Sequence, residues 1–247
     1  MKIKLEIKSI YGDILFSYEK ENNTIKETVE EAIKQEVDLN SANLNSANLR
    51  SADLSYANLR SANLNFADLS YANLSSADLR SANLNSTNLR SADLSYADLS
   101  SANLSYANLN SADLRSANLR SANLSSANLS SANLENLYTN EKTAFFSICC
   151  PEEGAFIGYK QCQGKLVTLQ ITKKALRSSA TTLKCRCSEA KVLHIEGNLK
   201  TIKSNHDASF VYTVGKIVKV DDFDTDRWNE CSTGIHFFMN KKNAHQY

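Results

Sequence analysis

A leucine stands at every fifth position from Leu39 to Leu134, twenty times without a gap. Two positions before each leucine is an alanine, replaced only by Val37 and Thr87, and the residue directly before each leucine is Asn or Asp. This period fits neither an α-helix, which needs apolar residues about every 3.6 positions, nor a half-buried strand, which needs them at every second position. The pattern predicts a chain that turns a corner every five residues, with leucine and alanine inside.

Successive coils of such a chain must pair their backbone groups, because buried amides and carbonyls without partners are costly. Stacking the coils about 4.8 Å apart provides these partners, as in other sheets. A disordered Ser/Asn-rich tract is the alternative, but disorder does not hold leucine and a small residue at fixed offsets. The A-[N/D]-L-x-x pattern closely resembles the pentapeptide-repeat proteins. The resemblance implies a mainly β fold, a right-handed quadrilateral β-helix of about five coils.

Residues 1–36 are predicted to cap this solenoid, which spans residues 37–137. The segments KIKLEIKSI and ILFSYEK alternate polar and apolar residues on either side of Tyr11-Gly12-Asp13, which is typical of a hairpin. Thr24 and Glu27 form a capping-box pattern, so a helix is expected to begin there. An amphipathic helix placed before the first repeat would cover the open end of the solenoid.

Residues 138–247 change composition and are predicted to form an α+β domain with a mainly antiparallel sheet. Strands are predicted at AFIGYK, KLVTLQI, AKVLHIEG, SFVYTVGKIVKV and GIHFFM, a short helix at KNAHQY, and a turn or helix within Thr172–Leu183. FIGYK, RSSATTLKCR and NECSTGIHFF resemble an uncharacterised C-terminal domain that accompanies pentapeptide repeats in bacterial and phage proteins. That resemblance supplies no catalytic residues, because no activity is established for the domain.

The charge of the repeats and of the whole chain argues against DNA mimicry and against binding to nucleic acid. The best-known activity implied by the pentapeptide-repeat resemblance is DNA mimicry, in which an acidic rod occupies the DNA site of a type II topoisomerase. Mimicry requires dense negative charge, whereas residues 37–134 contain seven Asp and six Arg. The whole chain has a net charge of +1, so nucleic acid is not an expected partner. No apolar run approaches the roughly 20 residues of a membrane span, and the first residues do not resemble a signal peptide, so we expect a cytoplasmic protein.

The sharpest catalytic candidate is a thiol site. Cys231 and His236 lie five residues apart across a Ser-Thr-Gly turn, and His194 is a second candidate base. A nucleophilic cysteine needs a base within hydrogen-bond reach, which sequence separation does not guarantee. Cys149-Cys150 and Cys185-x-Cys187 lack the usual zinc-knuckle spacing, so we predict no metal and no cofactor.

Two groups of residues are candidates for binding. Arg177 with Ser178 and Ser179 would suit an anion. Outward-facing tyrosines of the repeats would suit a protein surface: Tyr56, Tyr71, Tyr96 and Tyr106.

The favoured function is a non-catalytic scaffold or protein-interaction module, in which a rigid solenoid displays a C-terminal domain that binds another protein. The alternative is an enzyme or ligand-binding activity in the C-terminal domain. A homodimer is also expected, because solenoid ends tend to associate when they are incompletely capped.

Overall fold

The computed structural model describes residues 1–246 and divides the chain into two compact units, Met1–Phe146 and Ser147–Tyr247. The fold is mainly β, as the sequence predicts. Each unit is described by itself below.

The repeats form coils of 20 residues. From Asn43↔Asn63 to Asn118↔Tyr138, the residue before each leucine pairs in parallel with the residue 20 positions later. The leucine amides complete the ladder, as where Leu44 N donates to Asn63 O over 2.8 Å. Four pentapeptides therefore complete one coil. The pairing continues past Leu137 to Asn123↔Ala144, where one extra residue has entered the coil.

The interior of the coils is a stack of leucines and alanines. Every leucine of the pattern from Leu39 to Leu129 is at most 2% exposed. Thr87, which replaces an alanine, is fully buried, and its hydroxyl donates to Leu64 O over 2.7 Å. The buried hydroxyl is therefore satisfied within the ladder.

The corners of the coils adopt left-handed backbone. At the second position after each leucine, from Ser41 to Asn136, φ lies between 53° and 61°. This region costs an L-residue roughly 1–2 kcal/mol. The repeat tolerates the cost because each corner amide from Ser41 to Ser116 donates to a carbonyl of the next coil, as Ser81 N does to Ser100 O.

A hairpin and a helix cover the first coil. Strands β1 (Lys2–Lys8) and β2 (Ile14–Glu21) pair antiparallel, and helix α1 spans Ile25–Lys34. The predicted capping box is confirmed, because the side chains of Thr24 and Glu27 each accept from the other's backbone amide.

Both elements of the cap bond to the coil. Asn43 N donates to Lys8 O over 2.7 Å at the end of β1. From α1, Glu30 Oε1 accepts from Asp53 N over 3.0 Å. These contacts satisfy backbone groups that an open solenoid end would leave unpaired.

The C-terminal unit is built around a seven-stranded antiparallel sheet with strand order β10-β7-β4-β3-β11-β6-β5, and β8 and β9 form a separate hairpin. The elements are β3 (Phe156–Cys162), β4 (Lys165–Ile171), β5 (Arg177–Ser179), β6 (Lys184–Cys187), β7 (Glu189–Ile195), β8 (Thr201–Lys203), β9 (Val211–Thr213), β10 (Ile217–Lys219), β11 (Ile235–Phe238) and α2 (Lys241–His245).

The predicted strands around FIGYK, KLVTLQI, AKVLHI and IHFF are confirmed. SFVYTVGKIVKV instead forms two strands, β9 and β10, that belong to different sheets. The segment Thr172–Leu183 contains the predicted turn, closed by Ala175 N donating to Thr172 O over 3.1 Å, and strand β5 rather than a helix. The terminal helix α2 is five residues long. The last predicted helical residue, Tyr247, lies outside the described residues. Residues 147–246 are thus more strongly β than the predicted α+β class.

Candidate functional site

The candidate site lies where the large sheet of the C-terminal unit forks. Strand β11 pairs with β6 along all four of its residues, but with β3 only at Phe238↔Tyr159. Beyond that pair the two antiparallel strands no longer bond. Lys160 on β3 and His236 on β11 therefore border a gap in the sheet.

A cavity of about 520 Å³ occupies this region. The β8–β9 hairpin and its loop form one side, and the segment leading into β11 forms another. The lining residues used below are Lys160, Lys184, Asp207, Tyr212, Cys231 and His236. A second cavity of about 280 Å³ shares Lys160, His206 and His236 with the first.

Lys160 is buried without a counter-charge. Its side chain is on the face of β3 that also carries Gly158 and Cys162, and the residue is 9% exposed. It makes no hydrogen bond or ion pair with any residue from 1 to 246. Burial lowers the pKa of Lys160, and the nearby positive charge of Lys184 lowers it further. An unpaired buried ammonium is costly, so this residue is the most unusual feature of the site.

Lys184, by contrast, is held by a carboxylate and a thiol. It is 5% exposed, and its Nζ lies 3.8 Å from Glu230 Oε2 and 3.6 Å from Cys231 Sγ. The Thr182 hydroxyl donates to the other oxygen of Glu230. The positive charge of Lys184 is therefore largely balanced by Glu230.

His236 is neutral at physiological pH. Burial, followed by the charges of Lys184 and Lys160, lowers the pKa of His236 to about 4. Its Nε2 lies 3.2 Å from Glu230 O. Because a carbonyl oxygen only accepts, Nε2 must carry the proton of the neutral ring.

Arg186 organises the loop that carries Cys231. It is 1% exposed, and its guanidinium donates to the carbonyl oxygens of Asp224, Asp226 and Thr233 at 2.8–3.2 Å. A Cβ at Gly234 would lie 3.1 Å from Arg186 Cβ, so the loop passes this side chain closely.

The predicted thiol site is assembled only in part. Cys231 and His236 both line the cavity, but they make no hydrogen bond with each other; Lys184 Nζ is the group beside the Cys231 thiol. His194 is exposed on β7 and is not in the lining. The six cysteines are free thiols, and residues 1–246 contain no cluster of three or more side chains suited to a metal ion.

The predicted anion-binding group lies elsewhere and is used structurally. Arg177 donates to the backbone carbonyls of Pro151, Gly154, Thr172, Lys173 and Ala175. Ser178 and Ser179 are buried, and Ser179 Oγ accepts from Cys149 N. None of the three lines the cavity, because the guanidinium is fully engaged in holding the chain around β5.

The four predicted tyrosines lie at left-handed corners of the coils. Their exposed fractions are 81% for Tyr56, 46% for Tyr71, 68% for Tyr96 and 65% for Tyr106. The ring of Tyr71 packs under the Arg50 guanidinium, 4.5 Å from the ring centroid. The other three present most of their surface to solvent.

Sequence reasoning missed Lys160, Lys184, Arg186 and Tyr212. Lys160 was missed because an isolated basic residue in a strand usually faces solvent. Lys184 and Arg186 were missed because strand β6 was not predicted. The signal for Lys160 was nevertheless present, because strand alternation in FIGYKQC places it on the same face as a glycine and a cysteine.

Comparison with known proteins gives two family matches. Residues 35–65, 57–95 and 97–136 match the model of pentapeptide repeats, and residues 146–244 match a family of unknown function (DUF5758). No curated protein matches the chain significantly. We find no helix among residues 1–246 with the length and apolarity that a membrane crossing requires.

Several solved structures are similar over part of the chain. Rfr23, a pentapeptide repeat protein from the cyanobacterium Cyanothece 51142, is 43% identical over 38% of this chain and 63% of its own, with a TM-score of 0.37. A pentapeptide repeat protein from the Arabidopsis thaliana thylakoid lumen is 29% identical over 38% of this chain and 69% of its own, with a TM-score of 0.32. QnrB1, a plasmid-mediated fluoroquinolone resistance protein, is 15% identical over 40% of this chain and 61% of its own, with a TM-score of 0.20. The chain thus spans less than two thirds of the length of Rfr23.

Proposed function

We propose that this protein, which combines pentapeptide repeats with a C-terminal domain of a family of unknown function, is a non-catalytic binding protein. In this proposal the repeats are a rigid scaffold. The cavity of the C-terminal unit receives part of a partner protein. The finer geometry that we propose for the scaffold is a right-handed coil, with its twenty leucine repeats arranged in about five turns of 20 residues.

The observation that carries the proposal is the arrangement of the two candidate catalytic groups. The Cys231 thiol lies beside Lys184, and the His236 Nε2 proton is directed to Glu230 O. A Cys–His nucleophilic pair needs the imidazole in contact with the thiol, and neither hydrogen bond provides that contact. The cavity is thus better equipped to hold a ligand than to transform one.

The repeats support a scaffold role for a different reason. Their interior is filled by leucine and alanine, and the buried threonine at position 87 is satisfied by the ladder. Their outer surface carries acidic and basic residues in nearly equal number, so a dense line of negative charge for DNA mimicry is absent from residues 37–134.

A capture experiment with three forms of the full chain tests the proposal. The wild type, a cavity-filling Ser232→Trp variant and a repeat-surface variant with Tyr56→Ser and Tyr96→Ser would each be immobilised and exposed to a lysate of the native host. We expect the wild type and the tyrosine variant to retain the same protein, and the Trp variant to lose it. Equal unfolding temperatures of the three forms would show that folding is intact.

Loss of the partner in the tyrosine variant alone would overturn the proposal and assign binding to the repeats. Turnover of a captured ligand that disappears with Cys231→Ala would overturn its non-catalytic part.

A further inference from the structure

We propose that the cavity of the C-terminal unit binds a carboxylate group, which lies against the ammonium of Lys160. This inference rests on the proposed binding function and deepens it by naming the chemistry that is recognised.

Two donors that line this cavity, on residues that are themselves largely buried, have no partner among residues 1–246. Lys160 is 9% exposed and Tyr212 is 2% exposed, and neither side chain makes a hydrogen bond with the residues that the structure describes. Buried polar groups in folded proteins are almost always paired. Burial raises the pKa of Tyr212, so its hydroxyl stays protonated and remains a donor. The cavity therefore offers two donors to an acceptor from outside the chain.

The balance of charge makes that acceptor an anion. Lys184 is paired with Glu230 at 3.8 Å, whereas Lys160 has no carboxylate beside it. Asp207, the acid of the lining, is exposed, and its Oδ1 accepts from Ser209 N and Oγ at 2.8 and 2.6 Å. The buried part of the cavity thus has one uncompensated positive charge.

A single uncompensated charge favours a carboxylate over a phosphate. A carboxylate brings one negative charge and two acceptor oxygens, which suit one ammonium and one hydroxyl. A phosphate monoester brings about 1.5–2 negative charges at neutral pH, which would leave an excess of negative charge in a partly buried site. Protein chains and free organic acids both carry such a carboxylate, and these two sources share the same recognition chemistry.

Binding should depend on pH through Lys160. A bound carboxylate stabilises the charged amine, so carboxylate affinity is lost as pH rises through the lowered pKa of Lys160. His236 stays neutral throughout this range, because its pKa of about 4 lies below it. The titratable groups that line the cavity with Lys160 are Lys184, His206, Asp207, Tyr212, Cys231 and His236, and the thiols of Cys162 and Cys187 also act on the charge of Lys160.

Calorimetric titration of the full chain with defined probes tests this inference. The probes are acetate, an acetylated Gly-Gly-Gly peptide with a free C-terminus, the same peptide with a C-terminal amide, and inorganic phosphate. We expect the free-acid peptide to bind better than its amide, and phosphate to bind more weakly than the carboxylates. Acetate binding equal to peptide binding would assign the site to free organic acids, whereas preference for the peptide would assign it to a protein chain.

The decisive variant is Lys160→Met, with Lys165→Met on the exposed start of β4 as the matched control. Lys160→Met should weaken carboxylate binding at least about tenfold, and Lys165→Met should not change it. If Lys160→Met fails to fold, Lys160→Gln and the pH profile of the wild type provide the same test. Unchanged carboxylate affinity in either Lys160 variant, or tighter binding of phosphate, would overturn the inference.

The two proposals fail separately. If Lys160→Met keeps its protein partner in the capture experiment and the wild type binds no carboxylate probe, the binding function stands and the carboxylate inference falls.

Discussion

The two units of this protein bury different polar residues: those buried in residues 1–146 are uncharged, whereas the C-terminal unit buries Lys160, Lys184 and Arg186. In the repeats, the buried Thr87 hydroxyl is satisfied by Leu64 O, and every coil repeats the same interior. In the C-terminal unit, Lys160 and Tyr212 are buried beside a cavity without partners in the described chain. The difference teaches that a regular repeat of leucine and alanine keeps charge out of its interior, whereas an irregular sheet can bury charged side chains beside a cavity.

The largest effect that would sharpen this comparison is the loss of a core leucine. Leu89→Ala should lower the free energy of unfolding by about 3 kcal/mol, because a fully buried leucine leaves a cavity in a close-packed stack. Leu109→Ala, one coil further on the same side, should cost the same amount. Denaturant unfolding would measure both, with the exposed Arg90→Ala as a control near zero. If the two leucine variants lose amounts of unfolding free energy that differ by more than about 1 kcal/mol, the coils are not equivalent.

A smaller effect is expected where the C-terminal sheet is tightly packed. Gly158→Ala should destabilise by about 1–3 kcal/mol, because the added Cβ would lie 2.6 Å from Phe237 Cδ2. Thermal unfolding would show the loss. The double variant Gly158→Ala with Phe237→Leu should recover part of it, since the clash is with the ring. No recovery would mean that the cost arises from the backbone.

Lys160→Met should stabilise the folded chain, whereas the preceding substitutions destabilise it. Removing a buried charge that has no partner should raise the free energy of unfolding by about 1–2 kcal/mol, although it removes the proposed ligand contact. The folded-state pKa of Lys160 is lowered, so the unfolded chain binds more protons and the stability of the wild type rises as pH increases through that pKa. The advantage of the variant should therefore shrink at alkaline pH. Destabilisation by Lys160→Met would show that the lysine is structural.

The smallest effect concerns the corners of the coils. Ser81 has a φ of 58°, which a β-branched residue adopts with difficulty. Ser81→Val should cost about 1 kcal/mol, whereas Ser81→Gly should change stability by less than about 0.5 kcal/mol. Equal stability of the two variants in a melting experiment would contradict the importance of corner geometry.

The fold of the repeats could largely be predicted from the sequence, because each repeat places the same residue types in the same buried and exposed positions. The leucine at every fifth residue identifies twenty equivalent core positions. The Thr24–Glu27 capping box identifies the start of the helix that precedes them. The coil length of 20 residues could not be predicted from the pattern of side chains. Outward positions accept any polar residue, so the charges need not repeat from one coil to the next, whereas the backbone pairing does.

The candidate site was only partly predictable. Cys231 and His236 were identified because their residue types suggest chemistry, and both line the cavity. Strand β6, with the sequence KCRC, was not identified as a strand, because two of its four buried residues are basic. Whether a lysine lies in solvent or in a cavity depends on which strands, distant in sequence, pack around it. The local sequence pattern carries no information on that packing.

The 20-residue coil has a consequence for how the chain can change in length. Inserting or deleting one whole coil would lengthen or shorten the stack by about 4.8 Å and leave every outward residue on its original side. A single pentapeptide keeps leucine and alanine in register, yet it would rotate all later repeats by a quarter turn. Duplication of 20 residues therefore leaves the orientation of the surface residues unchanged, whereas duplication of five residues changes it.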